Sequence, residues 1–153
     1  MPIDIQPRPE ICNCLAIRQA ARHVTQFYDH LLAPVGLRTT QFSILRKLQW
    51  KGPMTINVLA QELVMDRTTL GRNILPLQRE GLIAIAKGTS DRRSKDLCLT
   101  EAGSERLRAA MDGWSEAQAR FEAAFGEDRT LDLRALLRAV VSTGFEAAPA
   151  GAS

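Results

Sequence analysis

Residues 66–83 read DRTTLGRNILPLQREGLI, and residues 90–103 read SDRRSKDLCLTEAG. In the first stretch leucine and isoleucine recur at helical spacing behind Asp66, a residue type that caps helix N-termini. Gly81 is suited to end this helix, because glycine readily takes the left-handed conformation found there. Isoleucines that alternate with small residues then predict a strand, which returns within the second stretch as a β-hairpin. A helix followed by a hairpin with a basic tip therefore defines the centre of the fold.

The flanking segments complete a winged helix-turn-helix. A short apolar segment behind Thr55 predicts a helix that pairs with the one after Asp66 as a helix-turn-helix. Another helix is predicted to start after Thr39 or Thr40, either of which can cap it. The predicted fold class is mainly α (α+β), a winged helix-turn-helix with a two-stranded β-wing and N- and C-terminal dimerisation helices. The predicted domains are a flexible arm (1–10), a dimerisation helix (11–36), a winged helix-turn-helix DNA-binding domain (37–100), C-terminal dimerisation helices (101–147) and a frayed tail (148–153).

The C-terminal region predicts two helices with apolar seams. The first is capped by Thr100, and glycine at position 126 ends it. Its large apolar residues follow alternating steps of four and three, which makes a seam for another helix. The apolar residues between Leu133 and Phe145 define a sixth helix. Because Trp114, Phe121 and Phe125 would otherwise be exposed, we expect these helices and residues 11–32 to form a homodimer.

Charge is distributed unevenly along the chain. Residues 37–100 carry eleven basic and five acidic side chains, whereas residues 101–153 carry six basic and nine acidic ones. Such asymmetry favours a polyanion-binding module attached to a second region, although chance clustering of solvated charges gives the same count.

Several function classes find no support in the sequence. No run of about 18 apolar residues predicts a membrane span, and the proline-rich start lacks the apolar core of a secretory signal. Three cysteines form no disulfide framework, so we expect a cytoplasmic, reduced protein. No catalytic or metal-binding motif is present, and we predict no enzyme activity, metal or cofactor.

The predicted DNA-reading surface combines the helix after Asp66 with the hairpin tip. Arginine bonds bidentately to guanine, asparagine bonds to adenine, and threonine offers a hydroxyl or contacts the thymine methyl. A basic tip reaches a minor groove or nearby phosphates. Whether Asp91 faces DNA or holds an arginine in place stays open. The predicted DNA-binding residues are Arg67, Thr68, Thr69, Arg72, Asn73, Asp91, Arg92, Arg93 and Lys95.

These stretches resemble the MarR family of transcriptional regulators. Residues 66–83 look like its recognition helix, and residues 90–103 are similar to its wing, with Asp-x-Arg and Leu-Thr-x-x-Gly. Residues 36–45, GLRTTQFSIL, resemble the start of its second helix. The resemblance implies a dimer, a palindromic double-stranded operator, and release by a small phenolic or acidic ligand or by thiol oxidation. The function predicted is a repressor released by a small-molecule effector.

Two sensor sites are predicted. A ligand cleft is expected where a dimerisation helix meets the winged domain. Alternatively, Cys14 resembles the reactive cysteine of the family's organic-hydroperoxide-sensing members, where tyrosines bond to it; Tyr28 matches one tyrosine, but the other position is Thr39. A small apolar helix residue is the simpler interpretation of Cys14. The predicted ligand-binding residues are Ile17, Arg18, Tyr28, Phe42, Leu45 and Trp114.

A different class of function also fits the predicted fold. Winged helices serve in some proteins as protein-interaction modules. A basic recognition helix together with a basic wing favours DNA, and salt-sensitive binding to duplex DNA discriminates between the two classes.

Overall fold

The computed structural model describes residues 11–88 and 91–145. The predicted arm at 1–10 and tail at 148–153 lie outside the described residues. The elements are α1 (Asn13–Leu32), α2 (Thr39–Lys51), β1 (Met54–Thr55), α3 (Ile56–Leu63), α4 (Arg67–Arg79), β2 (Ile83–Lys87), β3 (Lys95–Leu99), α5 (Glu101–Phe125) and α6 (Glu127–Ser142). The predicted winged helix-turn-helix is confirmed. Among the described helices, none has the length and apolar character needed to cross a membrane.

Three of the predicted helix caps are confirmed. The Asp66 carboxylate accepts a hydrogen bond from the Thr69 amide at 2.9 Å, and the Thr55 hydroxyl accepts one from the Val58 amide at 3.3 Å. The Thr100 hydroxyl accepts from the Gly103 amide at 3.0 Å. Each bond satisfies a donor that the first turn of a helix leaves without a partner.

The start of α2 differs from the prediction. This helix begins at Thr39, and neither threonine caps it through its own side chain. Instead, Asp29 on α1 accepts hydrogen bonds from the Thr39 amide at 2.6 Å and the Thr39 hydroxyl at 2.7 Å. Gln41 within α2 also accepts from the Arg38 amide at 3.0 Å, so the start of α2 is capped both from within and by Asp29, which fixes the end of α1 against the start of α2.

The predicted two-stranded wing is part of a three-stranded antiparallel sheet in the order β1-β3-β2. Ile83 pairs with Leu99 and Lys87 pairs with Lys95, as a hairpin requires. The additional strand is only two residues long, and its Met54 pairs with Leu97. This strand attaches the base of the wing to the start of α3, so the hairpin is anchored to the helix-turn-helix.

The core is built from the inner faces of α2, α3 and α4 together with the sheet. The predicted apolar face of α4 is buried in it, with Leu70 and Leu77 fully covered and Ile74 nearly so. Further buried members come from the other elements: Leu32, Ile44, Leu45, Leu59, Leu82, Ile83 and Leu107. Burial of this face orients the opposite face of α4 outward.

Close backbone contact joins the segment after α4 to the start of α5. The Thr100 hydroxyl donates to the Gly81 carbonyl at 2.6 Å, and the Thr100 amide donates to the Leu82 carbonyl at 3.2 Å. Gly103 lies so near Leu82 that an added Cβ would overlap the Leu82 carbonyl oxygen. Only glycine fits there without displacing one of the two segments.

The described residues form two compact units, divided between Ala117 and Gln118 within α5. In the second unit the Phe121 and Phe125 rings lie 5.6 Å apart. The α6 helix starts at Glu127, six residues before the predicted apolar segment, and ends before Phe145. Several of its large apolar side chains are exposed: Leu131, Leu136, Leu137, Val140 and Val141. The functional domain boundaries predicted at residues 36 and 100 stay a prediction.

Candidate nucleic-acid interface and effector cavity

The outer face of α4 carries the residues predicted to read DNA. Arg67, Thr68, Thr69 and Arg72 are exposed, and Asn73 is half-buried. The Thr69 side-chain and backbone hydrogen bonds hold the pKa of Asp66 below its usual value. The Asp66 carboxylate therefore stays ionised near neutral pH and keeps the first turn of α4 capped.

Two of these residues are already engaged within the helix. The Thr69 hydroxyl donates to the Asp66 carboxylate, and the Asn73 amide donates to the Thr69 carbonyl at 2.9 Å. Among the described residues, Arg67 and Arg72 form no ion pair. The geometry therefore leaves Arg67, Thr68 and Arg72 most directly available to a base or a phosphate.

Gly71 is a further residue of α4 that was not among the predicted DNA-binding residues. It lies next to Arg72 inside α4, and an added Cβ would have only ordinary contact with Ile56, at 3.9 Å. Packing within the chain therefore does not require glycine at this position. Gly71 is half-buried on the side of α4 that faces Ile56 of α3, and it leaves the helix backbone there without a covering side chain. The sequence could have pointed to this position, because glycine inside a helix lowers helix stability and is unusual there.

The wing turn is ordered by Asp91. Its carboxylate accepts from the Arg93 amide at 2.9 Å, and its carbonyl accepts from the Ser94 hydroxyl at 2.8 Å. The Gly88 amide closes the turn by donating to the Ser94 carbonyl at 2.9 Å. Asp91 therefore holds the backbone around Arg93, which favours a structural role over a DNA contact.

The basic side chains of the wing point into solvent. Arg92, Arg93 and Lys95 are exposed, and none forms an ion pair with a described residue. Cations without protein partners are suited to phosphates, because neutralising phosphates releases the condensed counterions of the duplex.

The six predicted effector residues are not brought together within one chain. Phe42 and Trp114 stack with ring centroids 6.1 Å apart and line a cavity of about 770 Å³. Leu45 is fully buried in the core and does not line that cavity. Ile17, Arg18 and Tyr28 lie on α1 and are also not among its lining residues.

Other residues, which were not predicted from the sequence, complete this cavity. They are contributed mainly by α2, together with the end of α3. Two of them, Arg46 and Lys47, are cationic, and Trp50 is largely exposed at the rim. The full lining is Phe42, Ser43, Arg46, Lys47, Gln49, Trp50, Glu62, Leu63 and Trp114.

Cys14 is exposed near the start of α1. Tyr28 follows fourteen residues later on the same helix, which places the two about 21 Å apart along its axis. The Thr39 hydroxyl is occupied by the Asp29 carboxylate. Within one chain, therefore, neither the Tyr28 hydroxyl nor the Thr39 hydroxyl is placed to bond to the Cys14 thiol.

Comparison with known sequences identifies related regulators. The sequence model of the MarR family matches residues 37–95. The chain is 33% identical over 85 residues to the helix-turn-helix-type transcriptional regulator YwoH of Bacillus subtilis, a match that covers 56% of this chain and 61% of YwoH. It is 26% identical over 99 residues to the organic hydroperoxide resistance transcriptional regulator of the same organism, covering 65% of this chain and 67% of that protein.

Comparison with solved structures extends the likeness over most of the chain. The transcriptional regulator MosR of M. tuberculosis, crystallised with DNA, superposes with a TM-score of 0.73 at 35% identity. That match covers 86% of this chain and 97% of MosR. The fold is therefore shared with a protein whose crystal structure was solved in complex with DNA.

Proposed function

The chain belongs to the MarR family of DNA-binding transcriptional regulators, and we propose that it is a homodimeric repressor released from its operator by a small acidic or phenolic molecule. Because the family consists of transcriptional regulators, the chain is not an enzyme. The observation that carries the proposal is the set of exposed arginines on α4 and the wing, which form no ion pair with any described residue. Such cations in a reading helix and a wing suit the grooves and phosphates of duplex DNA.

Exposed apolar side chains support the homodimer. Ile11 and Ile17 near the start of the chain are 70% and 45% exposed, and Leu136 and Val141 on α6 are 66% and 62% exposed. Large apolar side chains that stay exposed on a helix are typical of protein–protein interfaces. A second copy of the chain is the partner that gives two recognition helices for one palindromic site.

The operator is expected to be an inverted repeat. A two-fold dimer presents identical reading helices, so duplexes selected from a random library should contain two half-sites with centres about 10 base pairs apart. Footprinting measures the spacing, and light scattering of the free protein should give a dimer at micromolar concentration. A footprint over a single asymmetric half-site, or a monodisperse monomer, would contradict the proposal.

Oxidation of Cys14 is the second candidate for the release signal. It is favoured by the exposure of this thiol and by the similarity to the organic hydroperoxide resistance regulator. The engagement of Thr39 by Asp29 argues against it, because the position of the second tyrosine then offers no free hydroxyl. A thiolate tuned for oxidation also needs nearby groups that stabilise its charge.

A comparison of cysteine variants decides between the two signals. We expect cumene hydroperoxide to leave the wild-type protein and the Cys14→Ser variant equally bound to the operator in a gel-shift assay. Cys12→Ser is the matched control, since residue 12 is also exposed and serine preserves the cap that Cys12 gives to the Leu15 amide. Release of the wild type and of Cys12→Ser, with Cys14→Ser resistant, would make the protein a peroxide sensor.

A further inference from the structure

A large apolar side chain is exposed among the polar residues of α4. Leu75 is 48% exposed, whereas Leu70, Ile74 and Leu77 on the core-facing side of the same helix are at most 4% exposed. Leu75 therefore contributes much less than these three residues to the core of the chain. A leucine that is solvated in the free protein adds stabilisation when another molecule covers it.

The helical repeat places Leu75 beside the residues predicted to read DNA. Thr68, Arg72 and Leu75 are separated by four and three positions, so they follow one another along a single face of α4, and all three are exposed. Gly71 lies one turn before Leu75 and brings no side chain of its own. Because long helical side chains lean toward the N-terminus, Leu75 extends over the turn that Gly71 leaves uncovered, next to Arg72.

The major groove offers an apolar side chain one kind of partner. The base edges present hydrogen-bond donors and acceptors there, apart from the C5 methyl group of thymine. A leucine that covers a donor or acceptor removes water from it without replacing the hydrogen bond, which lowers affinity. A leucine that covers the methyl group buries apolar surface on both molecules. An exposed leucine on the reading face therefore favours thymine over the other bases.

Resting on the proposed function, we propose that Leu75 is a specificity-determining residue that contacts the C5 methyl group of one thymine in each half-site. Leu75 and Arg72 are about 4.5 Å apart along the helix axis, and successive base pairs are about 3.4 Å apart. The thymine therefore lies within one or two base pairs of the base that Arg72 contacts. Arg72 recognises its base by hydrogen bonds, whereas Leu75 recognises its base by an apolar contact.

Deoxyuridine tests this contact, because it differs from thymidine by the C5 methyl group alone. The thymines of the selected operator are replaced by deoxyuridine one symmetric pair at a time, and the dissociation constant is measured at one fixed salt concentration. Burial of one methyl group is worth about fourfold in affinity, so one pair of thymines should show a loss of about fifteenfold in the wild type. Leu75→Ala should bind the unmodified operator at least as weakly, and the same substitution should then cost it nothing further.

Three comparisons serve as controls. Leu75→Met keeps an apolar side chain of similar volume and should retain most of the deoxyuridine effect. Ile85→Ala removes a side chain of similar exposure, 46%, from β2 and should leave that effect at its wild-type size. A contact of Thr68 with another thymine methyl would also respond to deoxyuridine, but that response would persist in Leu75→Ala. Leu75→Ala should unfold at the wild-type midpoint, because alanine favours a helix and the leucine is largely outside the core.

The results that contradict the Leu75 contact differ from those that contradict the proposed function. Equal deoxyuridine losses in the wild type and Leu75→Ala at every thymine, or full affinity of Leu75→Ala for the unmodified operator, would overturn the contact and leave selective DNA binding intact. A selected operator without a thymine near the Arg72 contact would do the same. Failure of the wild type to bind any duplex selectively would refute the proposed function, and the role of Leu75 with it.

Discussion

Replacement of Arg72 by alanine is expected to lower operator affinity about a hundredfold while affinity for scrambled duplex hardly changes. A bidentate contact of arginine with guanine is worth about 1–3 kcal/mol, and a dimer would lose one such contact in each half-site. Arg72 is exposed on α4 and forms no ion pair with a described residue. The measurement is the ratio of the two dissociation constants at one fixed salt concentration.

Two further arginines provide controls for this result. Arg79→Ala lies at the opposite end of α4 and should leave the ratio unchanged. Arg93→Ala on the wing should weaken binding to both duplexes to a similar extent. It should also reduce the slope of log affinity against log salt concentration by about one. An unchanged ratio in Arg72→Ala would show that α4 presents a different reading face.

Replacement of Gly103 by alanine is expected to destabilise the fold by about 3 kcal/mol, the upper part of the range for overpacking. The new Cβ would overlap the Leu82 carbonyl oxygen and lie 2.7 Å from Leu99 Cδ1. Backbone cannot rotate away as a flexible side chain does, so α5 or the segment after α4 must move. The same shift disturbs the Thr100 amide bond to Leu82.

Thermal unfolding followed by circular dichroism measures this effect. For a chain of this length the expected loss corresponds to a midpoint about 10 °C lower. Gly144→Ala is the matched control, since an added Cβ there meets nothing within 4 Å. An unchanged midpoint in Gly103→Ala would mean that the two segments are not held as closely as described.

Most of the fold could be predicted because its signals are local. A capping side chain and its helical repeat lie within one or two turns of each other, so Thr55, Asp66 and Thr100 could each be identified from neighbouring residues. The short strand β1 could not be predicted, because two residues are too few to show an alternating pattern. Its pairing with β3 also spans more than forty positions of sequence. The start of α6 was missed because its first turn is acidic and exposed, whereas the prediction followed apolar residues.

The candidate sites also divide into a part that local sequence predicts and a part that depends on long-range packing. The exposed face of α4 follows from its buried face, since the helical repeat fixes both. The cavity depends instead on how α2, α3 and α5 approach one another, which no single repeat determines. Lys47 and Glu62 are fifteen positions apart, and each alone looks like an ordinary solvated charge. The one local feature that could have indicated the cavity is Trp50, which stands between Lys47 and Lys51 in the sequence.

Gly71 and Pro76 together make α4 a helix of low intrinsic stability. Relative to alanine they cost about 1 and about 3 kcal/mol in a helix interior, and Pro76 offers no amide to the Arg72 carbonyl. Contacts of the buried leucines, more than backbone propensity, therefore keep this segment helical. Local opening of α4 should cost less than global unfolding, and its amide protons should exchange with solvent through that opening. Operator binding closes this route, so slowed exchange along α4 would accompany recognition even at amides that touch no base.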